Sequence, residues 1–383
     1  MSEPIVIVGG GLAAGTAAVE LREAGHDGYV VLLAAEDHVP YERPPLSKGY
    51  LLGEKPADAT HVQPREWYDE HGIDLRTGTS ALAVDLEAKS VATDDGPVRF
   101  GKLLIATGAR ARRLPLESTD ALDVLYLRSM EESTTLHERL GEGHHLLVVG
   151  GGWIGMEVAA TARQLGTTVT VVEPAEQPML AALGAEVAAR FAEVHRGHGV
   201  DLRTGTSVER LDGANAVLTD GSSVSPDTVL VGVGAVPNEE LARDAGLEVD
   251  NGVVVDAGLR SSHPDVYAAG DVARAVHPLL GEKIRVEHWQ NAISQGKAAA
   301  HALLGEDVSY EDLPYFFTDQ YDLGMEFFGH VPDGSVVRVE PGDSDTSFAA
   351  WWLRGDDPVA AMHVNQWDRS DELRDRVRQT WAT

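Results

Sequence analysis

Apolar residues along the chain fall into short unbroken runs that end in glycine. Ile5-Val6-Ile7-Val8 leads straight into Gly9-Gly10-Gly11 and then into the small helix formers Leu12-Ala13-Ala14-Gly15. Such a run predicts a strand covered on both faces, and the glycines and small residues after it predict a tight turn and a helix. Val30 to Leu33 is the next run. The same features return at Leu146-Leu147-Val148-Val149-Gly150-Gly151-Gly152-Trp153-Ile154-Gly155, 141 residues later, with Val169 to Val172 as their second run. Beyond the loops, His71-Gly72-Ile73-Asp74-Leu75-Arg76-Thr77-Gly78-Thr79-Ser80 recurs as His198-Gly199-Val200-Asp201-Leu202-Arg203-Thr204-Gly205-Thr206-Ser207. An apolar strand ending in glycine comes after each, at Leu103 to Gly108 and at Val229 to Gly234. The economical reading is an α/β protein with two Rossmann-like nucleotide-binding domains of one plan. From Leu313 the pattern changes to frequent aromatics: Tyr315, Phe316, Phe317, Phe327, Phe328, Trp351, Trp352, Trp367 and Trp381. These predict a small α+β C-terminal domain with most of the rings in its core. In its final helix Leu373, Val377 and Trp381 recur every four residues, a narrow stripe suited to packing on its own domain.

The glycine loops carry the first candidate chemistry. Gly9 lets the chain turn off its strand, Gly11 lets the backbone approach a diphosphate, and the small Ala14 lets the helix pack closely. The helix N-terminus adds free N–H groups and a positive dipole end. Glu36 stands just past the Val30 to Leu33 run, 25 residues after Gly11, where a carboxylate can hold ribose hydroxyls. A glycine turn in another kind of parallel sheet would also produce this first loop. The second copy narrows the choice, because it has the complete Gly-x-Gly-x-x-Gly and Glu173 comes 21 residues after Gly152. A carboxylate at that place accepts from the free 2'-hydroxyl of NAD and repels the 2'-phosphate of NADP, which favours NADH.

Composition removes other classes. The 383 residues suffice for two or three cores, and 43% apolar with 24% charged residues is ordinary for a globular protein. Sixty-one acidic against 31 basic residues give a net charge of -30, which excludes nucleic acid and anionic membrane surfaces as principal partners. Met-Ser-Glu-Pro enters a strand with no basic region before it, and no apolar run reaches the roughly 18 residues of a membrane helix, so a cytoplasmic location is expected. The chain has no cysteine, which removes disulfides, thiolate metal sites and dithiol relays. Redox chemistry here needs a bound organic cofactor. Its 15 histidines show no metal-ligand spacing and no nucleophile elbow appears, so metal hydrolysis and acyl transfer lack candidates.

After Glu36 comes Val39-Pro40-Tyr41-Glu42-Arg43-Pro44-Pro45-Leu46-Ser47-Lys48. The two prolines are expected to forbid helix and stiffen the loop, with a short helix beginning at Leu46 or Ser47. Arg43 reads as a bidentate cation against a diphosphate and Lys48 as a cation beside a cofactor ring, though a Pro-Pro turn flanked by solvated charges has the same composition. Ala106-Thr107-Gly108 closes a strand on small residues, as close backbone approach requires. Arg110, Arg112 and Arg113 read either as the crossing into a second domain or as solvated linker charge, and Gly232, Gly234 and Pro237-Asn238 as the return. The expected domains are 1–113 with 237–312, 114–236, and 313–383.

Tyr41-Glu42-Arg43-Pro44-Pro45-Leu46-Ser47-Lys48 resembles the signature of bacterial FAD-dependent ferredoxin reductases. That group includes the NADH-dependent reductases of ring-hydroxylating dioxygenases, putidaredoxin and rubredoxin reductases and, more distantly, apoptosis-inducing factor. The resemblance runs from Ile5 to about Gly329 through several motifs in the expected order. It implies the glutathione reductase fold, with FAD and NADH as cofactors. On the first loop it implies FAD contacts from Gly9, Gly11, Leu12, Ala13 and Ala14, joined by Glu36, Arg43, Lys48 and Ala81. The turn Ala106, Thr107 and Gly108 touches FAD in such enzymes, and Arg128 matches a flavin-contacting arginine.

Ser261-Ser262-His263-Pro264-Asp265-Val266-Tyr267-Ala268-Ala269-Gly270-Asp271 resembles the second FAD fingerprint of the group, with serine for the usual first threonine. Gly270 and Asp271 then face the cofactor, Asp271 accepting from a ribityl hydroxyl; a plain strand-end cap is the alternative. Glu287-His288-Trp289-Gln290-Asn291-Ala292 begins a long Ala-rich helix whose N-terminus faces the flavin pyrimidine oxygens, with His288 and Trp289 as contacts or as core and cap residues. Pro314 to Gln320 resembles the segment that leans on the flavin, with Phe317 where many relatives carry tryptophan. That substitution weakens any electron relay through an indole. The second loop supplies the NAD contacts Gly150, Gly152, Trp153, Ile154, Gly155, Glu157, Glu173 and Gly234. Glu157 also suits a first-turn acid, but in the resembling enzymes such a glutamate pairs with the lysine matching Lys48 across the flavin. The pair then keeps the lysine protonated near flavin N5 for hydride arrival.

The implied activity is hydride transfer from NADH to FAD, followed by single-electron transfer to a ferredoxin-type iron–sulfur protein. Acidic partners of that kind need a local basic patch, for which Arg43, Arg65, Arg110, Arg112 and Arg113 are candidates. Oxygen, a quinone or monodehydroascorbate as acceptor, and a slowly turning redox sensor, are the competing readings. The chain is expected to act as a monomer or homodimer.

Overall fold

The computed structural model describes residues 3–344 and 346–382. They divide into two compact units: Met1–Arg43 with Asp58–Arg110 and Val236–Tyr315, and Pro44–Ala57 with Ala111–Ala235 and Phe316–Thr383.

The first unit is built on five parallel strands in the order Val266–Ala268, Lys102–Ile105, Ile5–Val8, Val30–Leu33 and Ile73–Arg76. Every residue of the Ile5–Val8 and Val30–Leu33 strands is buried, as their unbroken apolar runs require. The loop helix Leu12–Glu23 packs on the Ala-rich helix Trp289–Leu304, and a side chain at Gly296 would come within 2.7 Å of the Ala13 carbonyl oxygen. Only glycine allows this approach of two backbones. A meander of Ala81–Asp85, Ser90–Thr93 and Val98–Arg99 lies outside the parallel sheet.

The second unit repeats this arrangement. Its parallel order is Asp123–Leu125, Thr228–Val231, His145–Val149, Thr168–Glu173 and Asp201–Thr204, with a meander of Val208–Asp212, Asn215–Leu218 and Ser223–Val224. The copies differ at one edge strand, which comes from late in the chain in the first sheet and from just ahead of the second copy in the other. The duplication reaches single hydrogen bonds. Gly9 N donates to Leu33 O and Gly150 N to Val172 O, both at 2.9 Å, while Ala106 N donates to Val8 O and Gly232 N to Val149 O, both at 2.8 Å.

The same unit contains the aromatic C-terminal segment. Its five strands run in the order Tyr315–Gln320, Leu323–Gly329, Asp357–Val364, Ser347–Arg354 and Val336–Ser344. Phe327, Phe328, Trp351 and Trp352 are buried as expected, whereas Trp367 is exposed. The final helix Ser370–Trp381 buries Leu373, Val377 and Trp381 on this sheet, and Trp381 Nε1 donates to Val359 O.

One local expectation needs correction. Pro44 and Pro45 do not keep the chain out of helix; they open a 3-10 turn, Pro44–Ser47, in which Leu46 and Ser47 come last. First-turn positions have no intrahelical use for an N–H, so proline costs nothing there and its fixed φ helps. Ser133 Oγ donates to Leu46 O and Thr161 Oγ1 to Ser47 O, both buried, which holds the turn in place.

Candidate active site

In the first loop Gly9 has φ +138° and a side chain there would meet Ala106 O at 2.1 Å, so the chain can turn off the strand only with glycine. Gly11 differs: nothing stands within 4 Å of where its side chain would be. It is the N-cap of the Leu12–Glu23 helix and makes no side-chain cap bond. The helix N-terminus therefore presents backbone N–H groups beside open space, as an anionic diphosphate requires. Ala13 and Ala14 are buried behind it.

Glu36 sits beyond the second strand, where Arg43 Nη2 donates to its Oε1 at 2.9 Å and the Tyr41 hydroxyl to its Oε2 at 2.5 Å. Burial works against the Arg43 charge, but Tyr41, Glu36 and Asp271 outweigh it and hold the pKa of this guanidinium above the ordinary arginine value. Arg43, assigned from sequence to a diphosphate, is thus brought together with Glu36 and the charge of Asp271. Gly270 has φ +78°, faces Ala13, and donates from its N–H to Gln295 Oε1 at 2.9 Å. Asp271 O accepts from Arg285. Thr107 and Gly108 are clamped by Asn238, whose N donates to Gly108 O and whose Nδ2 donates to Thr107 O, while Thr107 Oγ1 donates to Asn238 O. His288 is the N-cap of the Trp289–Leu304 helix. Ala81 opens a meander strand.

In the second unit Gly150 has φ +104° and faces Gly232 O, and Gly155 packs against Gly150 O. Gly152 caps the helix Trp153–Gln164 without a side-chain bond. Glu173 accepts from Gly151 N at 2.7 Å and Ala175 N at 2.9 Å, which fixes its carboxylate at the end of the strand beside the loop. Trp153 stands edge-on to Phe191 and Phe316, Ile154 is exposed, and Gly234 has φ +101°. Arg128 N donates to Glu132 beside the capping box of the Met130–His137 helix.

Lys48 and Glu157 meet in this unit. Lys48 Nζ lies 2.8 Å from Glu157 Oε2 and 5.6 Å from the centre of the Phe317 ring. Glu157 is 4% exposed and accepts two hydroxyl hydrogen bonds, from Ser47 on Oε2 and from Thr318 on Oε1. A buried carboxylate with one cation and two donors is fully satisfied. Asp319 comes after Thr318, and burial raises its pKa, with Lys48 opposing the rise and Glu157 adding to it. Sequence reasoning missed Ser47, Thr318, Tyr41 and Gln295 as partners in these constellations. Ser47, Tyr41 and Thr318 lay inside segments already singled out; nothing in the spacing of Gln295 marks it.

The arginines proposed as a basic patch are mostly engaged. Arg110 pairs with Glu240 at 2.6 Å, Arg112 donates to Ala235 O, Arg113 lies over Tyr126, and Arg65 is 4.0 Å from Asp69. Among the described residues no cluster of metal-ligating side chains occurs, and no helix is long and apolar enough to cross a membrane.

Two dinucleotide loops, with a carboxylate just past the second strand of one and at its end in the other, and a lysine paired with a buried glutamate define a two-dinucleotide oxidoreductase. The chain belongs to the pyridine nucleotide-disulphide oxidoreductase family, whose model matches residues 3–296, and residues 315–379 match a reductase C-terminal domain. Its cofactors are FAD and NAD(H). The chain is 40% identical over 370 residues to the ferredoxin–NAD(+) reductase component of the anthranilate 1,2-dioxygenase system of Burkholderia cepacia, covering 95% of this chain and 91% of that protein. It is 34% identical over 376 residues to putidaredoxin reductase of Pseudomonas putida, covering 95% and 89%. The solved covalent putidaredoxin reductase–putidaredoxin complex superposes with a TM-score of 0.93 at 33% identity, over 99% of this chain and 93% of that one. The disulphide in the family's description has no counterpart here, because the chain has no cysteine.

Proposed function

We propose that this protein oxidises NADH and delivers single electrons to a ferredoxin-type iron–sulfur protein. The observation that carries the reading is the pairing of the half-buried Lys48 with the buried, doubly hydrogen-bonded Glu157 in a chain without cysteines. A redox-active disulfide within the chain is thereby excluded, and relatives over nearly the whole length are reductases of ferredoxin-type proteins. We assign FAD to 1–113 with 237–312 and NADH to 114–236. Bound FAD supplies the step between two-electron hydride chemistry and one-electron delivery.

The chain's own residues bind, orient and hold charge. The Gly11 helix end and Arg43 would hold the FAD diphosphate, and Glu36 would accept its ribose hydroxyls. The Gly152 helix end takes the NADH diphosphate, and Glu173 accepts the adenosine ribose hydroxyls. Glu157 orients the Lys48 ammonium through their 2.8 Å ion pair, so a positive charge faces the site where negative charge develops. NADH is supplied in the cytoplasm, and we place the protein there.

The holoenzyme is assayed with NADH and a panel of small iron–sulfur proteins against oxygen alone. At least one ferredoxin should be reduced many times faster than oxygen is consumed. Equal or slower reduction of all of them would leave oxygen or a quinone as the better acceptor.

A further inference from the structure

A file of hydrogen bonds ends on the Lys48–Glu157 pair. Thr318 Oγ1 donates to Glu157 Oε1 and receives Gln320 Nε2 at 3.3 Å. Gln320 Oε1 faces His195 Nε2 at 2.8 Å, and the Tyr321 hydroxyl is 3.4 Å from His195 Nδ1. The direction of each bond is set by chemistry. A carboxylate only accepts, so the single Thr318 proton goes to Glu157 and its lone pair takes the Gln320 amide proton. The amide oxygen only accepts, so His195 carries its proton on Nε2 and Nδ1 is left to accept from Tyr321. Thr318 and Gln320 are 1% exposed and His195 0%. Burial lowers the His195 pKa to about 4, which keeps the ring neutral, and raises that of Tyr321, which keeps its hydroxyl protonated.

We propose that Thr318, Gln320, His195 and Tyr321 are positioning residues that fix the Glu157 carboxylate against Lys48, each donating toward the negative charge. This rests on Lys48–Glu157 being the pair that faces the reacting cofactors. The Gln320 amide does not readily exchange its protons along such a file, so the file orients and does not conduct. It joins the helix Ala185–Gly197 of the nucleotide fold to the strand Tyr315–Gln320, so docking of that strand sets the carboxylate. The first copy has nothing equivalent among the described residues: Tyr68 stands where His195 does, and its buried hydroxyl has no protein partner there. The charged and titratable groups facing Glu157 are Lys48 and Asp319; those around His195 and Tyr321 are His198 and Arg163.

The test is the pH profile of flavin reduction by NADH in the holoenzyme, read with histidine-nitrogen NMR of the same protein. Thr318→Val removes a donor from the ionised carboxylate, so the acid limb should rise by roughly one pH unit. Thr318→Ser should restore it. Gln320→Leu, acting through Thr318, should raise it by roughly half a unit. Should Thr318→Val fail to fold, Gln320→Met, which nearly keeps the volume and removes the amide donor without adding a charge, must move the limb in the same direction. NMR should find the His195 proton on Nε2 in the wild type and a mixture of tautomers in Gln320→Leu. An acid limb unmoved by these substitutions, or a proton on Nδ1, would overturn the proposal. Glu157→Gln separates the two claims: if it leaves flavin reduction unchanged, the assignment of the pair itself fails; if it slows reduction while Gln320→Leu moves nothing, only the positioning role fails.

Discussion

Where the first nucleotide loop has Ala14, the second has Gly155, and one residue further on the first has Gly15 and the second Met156. A side chain at Gly155 would lie 2.2 Å from Gly150 O, whereas one at Gly15 would lie 2.7 Å from Pro40 Cβ. Both helices pack closely in their first turns, but each against a different neighbour. The carboxylates diverge in the same way. Glu36 is bound by Arg43 and Tyr41 from the segment after it, while Glu173 is bound by the backbone of its own loop and strand end. Further along, His71 stacks on Trp67 of its own helix, and His198 stacks instead on Tyr321 of the C-terminal segment. Duplication preserved the strands and the loop hydrogen bonds. The side chains differ where each copy meets the remainder of its unit, and that is where function is assigned.

Exchanging the loop residues should separate the copies most. Gly155→Ala should cost about 3 kcal/mol by overpacking against a backbone carbonyl, while Ala14→Gly should cost only about 1 kcal/mol in helix propensity, both read from denaturant unfolding. Equal costs would mean that the loops are interchangeable.

Acid should separate the copies next. The folded-state pKa of His195, about 4, lies below the ordinary histidine value of 6.5, so the unfolded chain takes up the proton first. The stability contributed by the neutral ring is present above 6.5 and is lost as pH falls toward 4. Wild type should therefore lose roughly 2 kcal/mol more than His195→Gln between neutrality and pH 5. Replacing Tyr68, the matching residue of the first copy, should change none of this acid dependence.

A smaller effect concerns coenzyme choice. Glu173→Gln should lower the preference for NADH over NADPH by about tenfold in apparent affinity, since it removes repulsion of a 2'-phosphate. Glu36→Gln should leave that preference unchanged and weaken FAD retention. The smallest effect on stability is expected for Gly11→Ala, where open space surrounds the added methyl: the apoprotein melts as before, and titration with FAD shows the weakened affinity.

Much of this was legible in the chain. Strands such as Ile5–Val8 and Val30–Leu33 announce themselves because burial on both faces demands unbroken apolar runs. The loops were legible because positive φ at Gly9 and Gly150 excludes other residues, and the repeat of Thr77-Gly78 at Thr204-Gly205 fixed their common plan. The Pro44–Ser47 turn was misjudged because proline forbids helix interiors but not first turns. The file from Tyr321 to Glu157 was not legible as a unit, although Glu157 and the segment holding Thr318 and Gln320 were singled out. Its members are 38 to 164 residues from Glu157 in the chain, and polar residues buried by tertiary packing leave no period in the sequence. The arginines show the same limit, since composition marks a basic cluster but not the carboxylates that neutralise it.

The most direct test of NADH-driven flavin reduction at the Lys48–Glu157 pair is anaerobic mixing of the purified holoenzyme with NADH and, separately, with NADPH, watching the flavin absorbance. Rapid bleaching by NADH at one equivalent per FAD is expected, with slow bleaching by NADPH and a large loss of the NADH rate in Glu157→Gln. Bleaching by both coenzymes at the same rate, or a protein that retains no flavin, would contradict it.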